Sequence, residues 1–244
     1  MKNALAMIGL LLAFTHAAFG NVAIDTTTGG KCVGATSFTV TLTTNGTNRV
    51  AVLAVECSTG HVSSISGGGS WTNIVASHAV ASSGNGEMWY ALFATTQTSV
   101  TLTVNLSTSM NASGVLDTYS GAATSSPIEN TNWTDTTTAQ TSAPGSVTTL
   151  SSNAFVASYI FYANPSALIG SATAGTGYTT TTAEVNTPAG SSEWLAQGER
   201  ANSVTASPTN NVSAPFSWGS NQKSSVLAIS IRPPSTRPNY IIVF

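Results

Sequence analysis

Past its first twenty residues the chain keeps two histidines, His61 and His78, and few acids. Hydrolysis by a triad requires a serine that a histidine deprotonates, with a carboxylate orienting the ring. No G-x-S-x-G elbow occurs, and neither histidine stands near one. Glycoside hydrolysis asks for less, two carboxylates facing across a cleft. Glu56, Asp117, Glu193 and Glu199 are the acids that folding could bring face to face, and they keep a glycan-active hydrolase as a third reading. No glycine-rich stretch opens a helix, so no phosphate cradle is expected. The expectation is a protein without catalytic residues or cofactors.

Glu129 and the run Asn130-Thr131-Asn132-Trp133-Thr134-Asp135 gather oxygen donors but lack any calcium-loop spacing. The run reads as a plain polar loop with no metal. Cys32 and Cys57 have no histidine at zinc-ligand spacing. One precedes the strand Thr36–Thr43, the other closes the strand Arg49–Val55, and the turn Asn45-Gly46-Thr47-Asn48 lies between them. A hairpin there would bring the pair together as a disulfide, worth about 3 kcal/mol by chain entropy. Buried thiols are the alternative. Trp133 is the aromatic expected to stand open in its loop. Strand alternation turns only one of Trp89 and Tyr90 inward, and the other would join Trp133 as a stacking platform for a sugar. Trp218 keeps the phase of Val212, Ala214 and Phe216, which assigns it to the core.

The elements that must position these groups are strands. Ser99-Val100-Thr101-Leu102-Thr103-Val104-Asn105-Leu106 and Ser37-Phe38-Thr39-Val40-Thr41-Leu42-Thr43 alternate hydroxyls with apolar residues, as a half-buried strand requires. Further strands are expected at Val22–Thr26, Arg49–Cys57, Trp71–Val80, Glu87–Phe93, Ser113–Tyr119, Ala154–Ala163, Tyr178–Glu184, Glu193–Gly198, Val212–Trp218 and Ser224–Arg232. Arg49–Val55 and Val226–Ile231 are apolar on nearly both faces, so they should be central. The Thr-rich passage Asn130–Ser142 reads as a long loop or an edge strand. Short strands broken by glycine and proline turns predict an all-β protein, a single large antiparallel β-sandwich over residues 21–232.

Charge is scarce, 7% of residues against about 25% in ordinary domains. The net charge is -2, and the basic residues are scattered, which excludes a nucleic-acid partner and disfavours an anionic membrane surface. Residues 1–20 carry a short basic start, an apolar run from Ala4 to Phe14 and small residues near Gly20, the pattern of a secretory signal. The expected location is secreted, extracellular or at a particle surface. Pro233-Pro234 and Pro238 set off residues 233–244, where Tyr240, Ile241, Ile242, Val243 and Phe244 form an apolar segment. It packs as one more strand on its own domain or is donated to another subunit as an assembly strand.

The order of motifs carries a resemblance. Asn45-Gly46-Thr47-Asn48-Arg49 leads into an apolar strand; Val62 to Gly69 ends in glycines before Trp71-Thr72; Met88-Trp89-Tyr90 precedes a Thr/Val strand. Tyr119-Ser120-Gly121, Ser126-Pro127-Ile128-Glu129, Ser217-Trp218 and Val226 to Pro233 follow. This order resembles a widespread jelly-roll or Ig-like β-sandwich domain of phage-associated structural proteins and secreted bacterial surface proteins. The resemblance spans about Asn21 to Pro233 and implies a non-enzymatic structural or adhesive surface component. Its partners would be copies of itself, another surface protein or a glycan. A carbohydrate-binding module using exposed aromatics is the alternative.

Overall fold

The computed structural model describes residues 21–81, 84–163, 173–176, 178–180, 185–186, 193–200 and 211–235. The expected secretory signal, residues 1–20, and the expected assembly strand Tyr240–Phe244 lie outside the described residues. Ten strands form the first part: β1 (Ala23–Leu42), β2 (Arg49–Cys57), β3 (Val62–Ser66), β4 (Thr72–Ala79), β5 (Asn85–Phe93), β6 (Val100–Ser120), β7 (Ile128–Asp135), β8 (Gln140–Ala143), β9 (Ser146–Thr148) and β10 (Phe155–Ala163). The rest are β11 (Thr173–Ala174), β12 (Thr179–Thr180), β13 (Val185–Asn186), β14 (Glu193–Arg200), β15 (Asn211–Ser213), β16 (Phe216–Gln222) and β17 (Ser225–Ile231). All pairings are antiparallel, and the described residues contain no helix. The chain is an all-β sandwich.

One large sheet runs β1-β6-β2-β5-β4 with β3 added on β6. A second runs β12-β14-β10-β17-β7 with β13 on β14, and two small sheets, β11-β16-β8 and β15-β9, complete the stack. Residues expected as four strands prove to be two. Val22–Thr26 and Thr36–Thr43 merge into β1, and Ser99–Leu106 and Ser113–Tyr119 merge into β6. The reason is mutual pairing over their whole length, from Ala23 opposite Ser120 to Leu42 opposite Val100.

This long ribbon bends where the register shifts between Cys32 and Ser37, and Gly34 takes the bend with φ 58°. Its two halves then meet edge to edge. The Thr26 hydroxyl donates to the Thr43 carbonyl (2.7 Å) and the Thr28 hydroxyl to the Thr41 carbonyl (2.8 Å). At the same junction a Cβ on Gly30 would lie 2.2 Å from the Thr39 carbonyl oxygen, so only glycine fits.

Folding the ribbon over covers the first sheet on its outer face as well as its inner one. β2 is therefore buried on both sides. Val50, Val52 and Ala54 face the second sheet and pack with Tyr159, Leu227 and Ile229. Ala51, Leu53 and Val55 face the folded ribbon and pack with Val40, Leu102 and Val104. β17 is sandwiched likewise, with Val226 against Phe216 and Trp218, and Ala228 against Val147 and Val212. The doubly apolar stretches are central for this reason, and Trp218 is core.

Insertion of β6 overturns the disulfide. Cys32 and Cys57 both lie opposite Ala112, on either side of it. Two strand spacings put their backbones about 10 Å apart, beyond the roughly 7 Å limit for a bridge. The hairpin assumed between β1 and β2 does not form, and the two cysteines remain thiols.

Candidate functional site

The groups that could do chemistry fall into three clusters, each built across strands. The first lies where the edge strands of the two large sheets meet. Trp133 is not in a loop. It stands on β7, opposite Leu227 of β17, and its ring turns inward. His78 of β4 stacks on it with centroids 4.2 Å apart and planes at 11°, and Phe161 leans against it at 4.9 Å. The Trp133 indole N–H is buried without a hydrogen-bond partner. Burial of its apolar body against Phe161 and His78 outweighs that loss, so the ring is a wedge between sheets rather than an open platform.

Beside the wedge, Nε2 of His78 contacts both oxygens of Asp135, at 3.0 and 3.2 Å. Asp135 Oδ1 also accepts from the Ser225 hydroxyl at 2.5 Å, and that hydroxyl accepts from the Ala81 N–H at 2.9 Å. A serine, a histidine and an aspartate thus meet, but the carboxylate sits in the middle. The hydroxyl donates to the acid, not to the imidazole, so the ring has no nucleophile to activate. What the cluster does is tie β4 to β7 and β17.

The second cluster is buried between the sheets. Asp117 of β6 accepts from the Thr27 hydroxyl (2.7 Å) and from the Tyr159 hydroxyl (2.9 Å). Tyr159 has one proton and spends it on Asp117, so Tyr119, 3.0 Å away, donates to Tyr159. Glu56 lies opposite Ser113, four residues along β6 from Asp117. The two backbones are about 14 Å apart by strand geometry. Both side chains are fully buried in the described structure. Glu193 and Glu199 are on β14.

Two glutamates show opposite electrostatics. Glu87 of β5 is buried, and desolvation pushes its carboxyl above the ordinary range. Hydrogen bonds from the Val62 N–H (3.1 Å) and the Trp89 indole N–H (3.2 Å), and the nearby His61, only partly offset this. For Glu129 of β7, burial also pushes upward, but four donors outweigh it. The Ser151 and Ser230 hydroxyls and the Leu150 and Ser151 N–H groups, at 2.6–3.1 Å, hold it below the ordinary range. Glu129 thereby pins the turn after β9 to the second sheet.

Trp89 and Tyr90 do not divide into one inward and one outward ring. Trp89 packs on the core under the folded ribbon and Tyr90 on the core between the large sheets. Alternation is obeyed, yet both faces of that sheet are covered. Trp71 meets Phe93 edge-on at 6.3 Å. A cleft of about 730 Å³ opens elsewhere, among Asn21, Thr124, Ser151, Asn153, Arg232 and Pro234. It contains neither a carboxylate nor an imidazole, and no group of three or more metal-ligating side chains occurs among the described residues.

The His78–Asp135 and Thr27–Asp117 contacts escaped sequence reasoning because they join residues 57 and 90 positions apart. The third cluster was legible: the outer hydroxyls of β1, β6 and β3, aligned by register. No family model matches this chain, and no curated protein or solved structure does either.

Proposed function

We propose that the chain is an exported, non-enzymatic β-sandwich that serves as a structural or adhesive surface component, in a particle, a filament or a cell surface. One observation carries this reading. Three of the described carboxylates are spent on holding strands together: Asp135 on His78 and Ser225, Asp117 on Thr27 and Tyr159, Glu129 on Ser151 and Ser230. The surface is left to hydroxyls, which cost less to dehydrate than charges when a partner covers them.

The carbohydrate alternative depended on Trp133 as an open platform, and that ring is wedged against Phe161 and His78. The proposed partner is therefore another copy of the chain or a neighbouring surface protein, with Tyr240–Phe244 as the contributing segment. Deleting residues 239–244 and measuring mass by light scattering tests this. A fall in the assembled mass is expected; unchanged mass together with unchanged melting would remove the segment from assembly.

A further inference from the structure

The outer face of the folded ribbon is a two-dimensional array of hydroxyls. Register aligns Thr41 with Thr101, then Thr39 with Thr103 and Ser66, then Ser37 with Asn105 and Ser64. Every position on the face is a short polar side chain; none is charged and none is aromatic. Below it Val40, Leu42, Leu102 and Val104 are buried, which anchors β1 and β6 from beneath. The threonines are β-branched, so their side chains have few rotamers.

On β3 the Ser64 hydroxyl accepts from Asn105 (3.1 Å) and the Ser66 hydroxyl donates to the Thr103 carbonyl (3.5 Å), but the hydroxyls of β1 and β6 on this face are unspent. Thr26, Thr27 and Thr28, earlier on the same strand, all bond to protein groups. The side chains of Ser37, Thr39, Thr41, Thr101 and Thr103 have no partner among the described residues.

Area and chemistry narrow what could cover this face. Three strands by about six residues make about 300 Å², well under the roughly 800 Å² per side of a stable protein interface. A sugar would look for an aromatic plane, and a charged polymer for opposite charge; neither is present. The remaining match is geometric. Tetrahedral water bonded at about 2.8 Å has second-neighbour oxygens about 4.6 Å apart, close to the roughly 4.8 Å between strands. Its longer repeat, about 7.5 Å, compares with about 6.7 Å between alternate residues of a strand. Rotation of a hydroxyl between rotamers moves its oxygen by more than that difference.

We propose that this face binds ice, with Thr39, Thr41, Thr101 and Thr103 as its centre and ordered water as its ligand. Threonine presents both a methyl and a hydroxyl, so it can fill a gap in a water lattice and bond to its rim. The proposal stands apart from the tail-mediated assembly above, because neither residues nor readout are shared.

The test is growth of single ice crystals and recrystallisation of polycrystalline ice in the presence of the full chain. Facetted crystals and arrested coarsening are expected. The double variant Thr39→Lys/Thr101→Lys, with both sites exposed and unbonded, should lose both effects while melting like the parent. Ser77→Lys, at an exposed position of β4, should keep both. Ice growth indistinguishable from that with an equal mass of albumin overturns the proposal. So does a double variant that still facets ice, or a parent that binds insoluble cellulose or chitin through these residues while leaving ice unchanged.

Discussion

The two halves of β1 use the same residue type for opposite ends. In the first half, Thr26 and Thr28 close the ribbon onto its own far half and Thr27 holds the buried Asp117. In the second half, Thr39 and Thr41 stand on the outer face, exposed and unbonded to protein. Composition does not separate them. The difference is placement: the hydroxyls of the first half lie beside protein acceptors, the Thr43 and Thr41 carbonyls and the Asp117 carboxylate, whereas water supplies partners to the second.

The largest test of that contrast lies beneath it, in the strand both halves help to cover. Leu53→Ala empties the core between β2 and the folded ribbon and should cost about 3 kcal/mol, read by chemical denaturation. A loss below that of an exposed site would mean that the ribbon does not pack on β2.

Next is the direct comparison of the two halves. Thr27→Val removes one of the bonds to Asp117 and strands a buried carboxylate oxygen, so it should cost about 2 kcal/mol. Thr39→Val keeps the same shape change on the outer face and should shift stability by no more than about 0.5 kcal/mol. Equal losses would erase the distinction between the halves.

The smallest effect is in pH dependence, where Glu129 and Glu87 have opposite signs. Glu129 is depressed, so its contribution is present above its ordinary value of 4.5 and is lost as pH falls through the folded value. Glu87 is raised, so its contribution is present below 4.5 and is lost as pH rises through the folded value. Melting across the acid range should therefore show Glu129→Gln flattening the acid side of the stability curve. Glu87→Gln should flatten the loss on the side above 4.5. The same sign for both variants would contradict the assigned environments.

Local pattern was enough for the strands themselves. The alternation in Phe38–Leu42 and Leu102–Leu106 places the core residues, and the doubly apolar Arg49–Val55 and Val226–Ile231 announce their central places. Those readings hold because side-chain direction in a strand depends only on position along it. Trp218 is placed by the same rule.

What pattern left open was which strand lies beside which. Cys32 and Cys57 looked like neighbours across a turn, yet β6, separated from β2 by three intervening strands in the chain, inserts between them. Trp133 looked exposed in a polar run, yet β17 draws that run into an edge strand and His78 covers its ring. Trp89 and Tyr90 could both pack against a core only once a second layer closed over the sheet. Pairing between distant strands depends on backbone hydrogen bonds common to every residue, so it leaves little trace in side-chain order. Pairing of β1 with β6, which sets Thr27 against Asp117 and leaves Thr39 facing solvent, is decided by the assembled sheet alone.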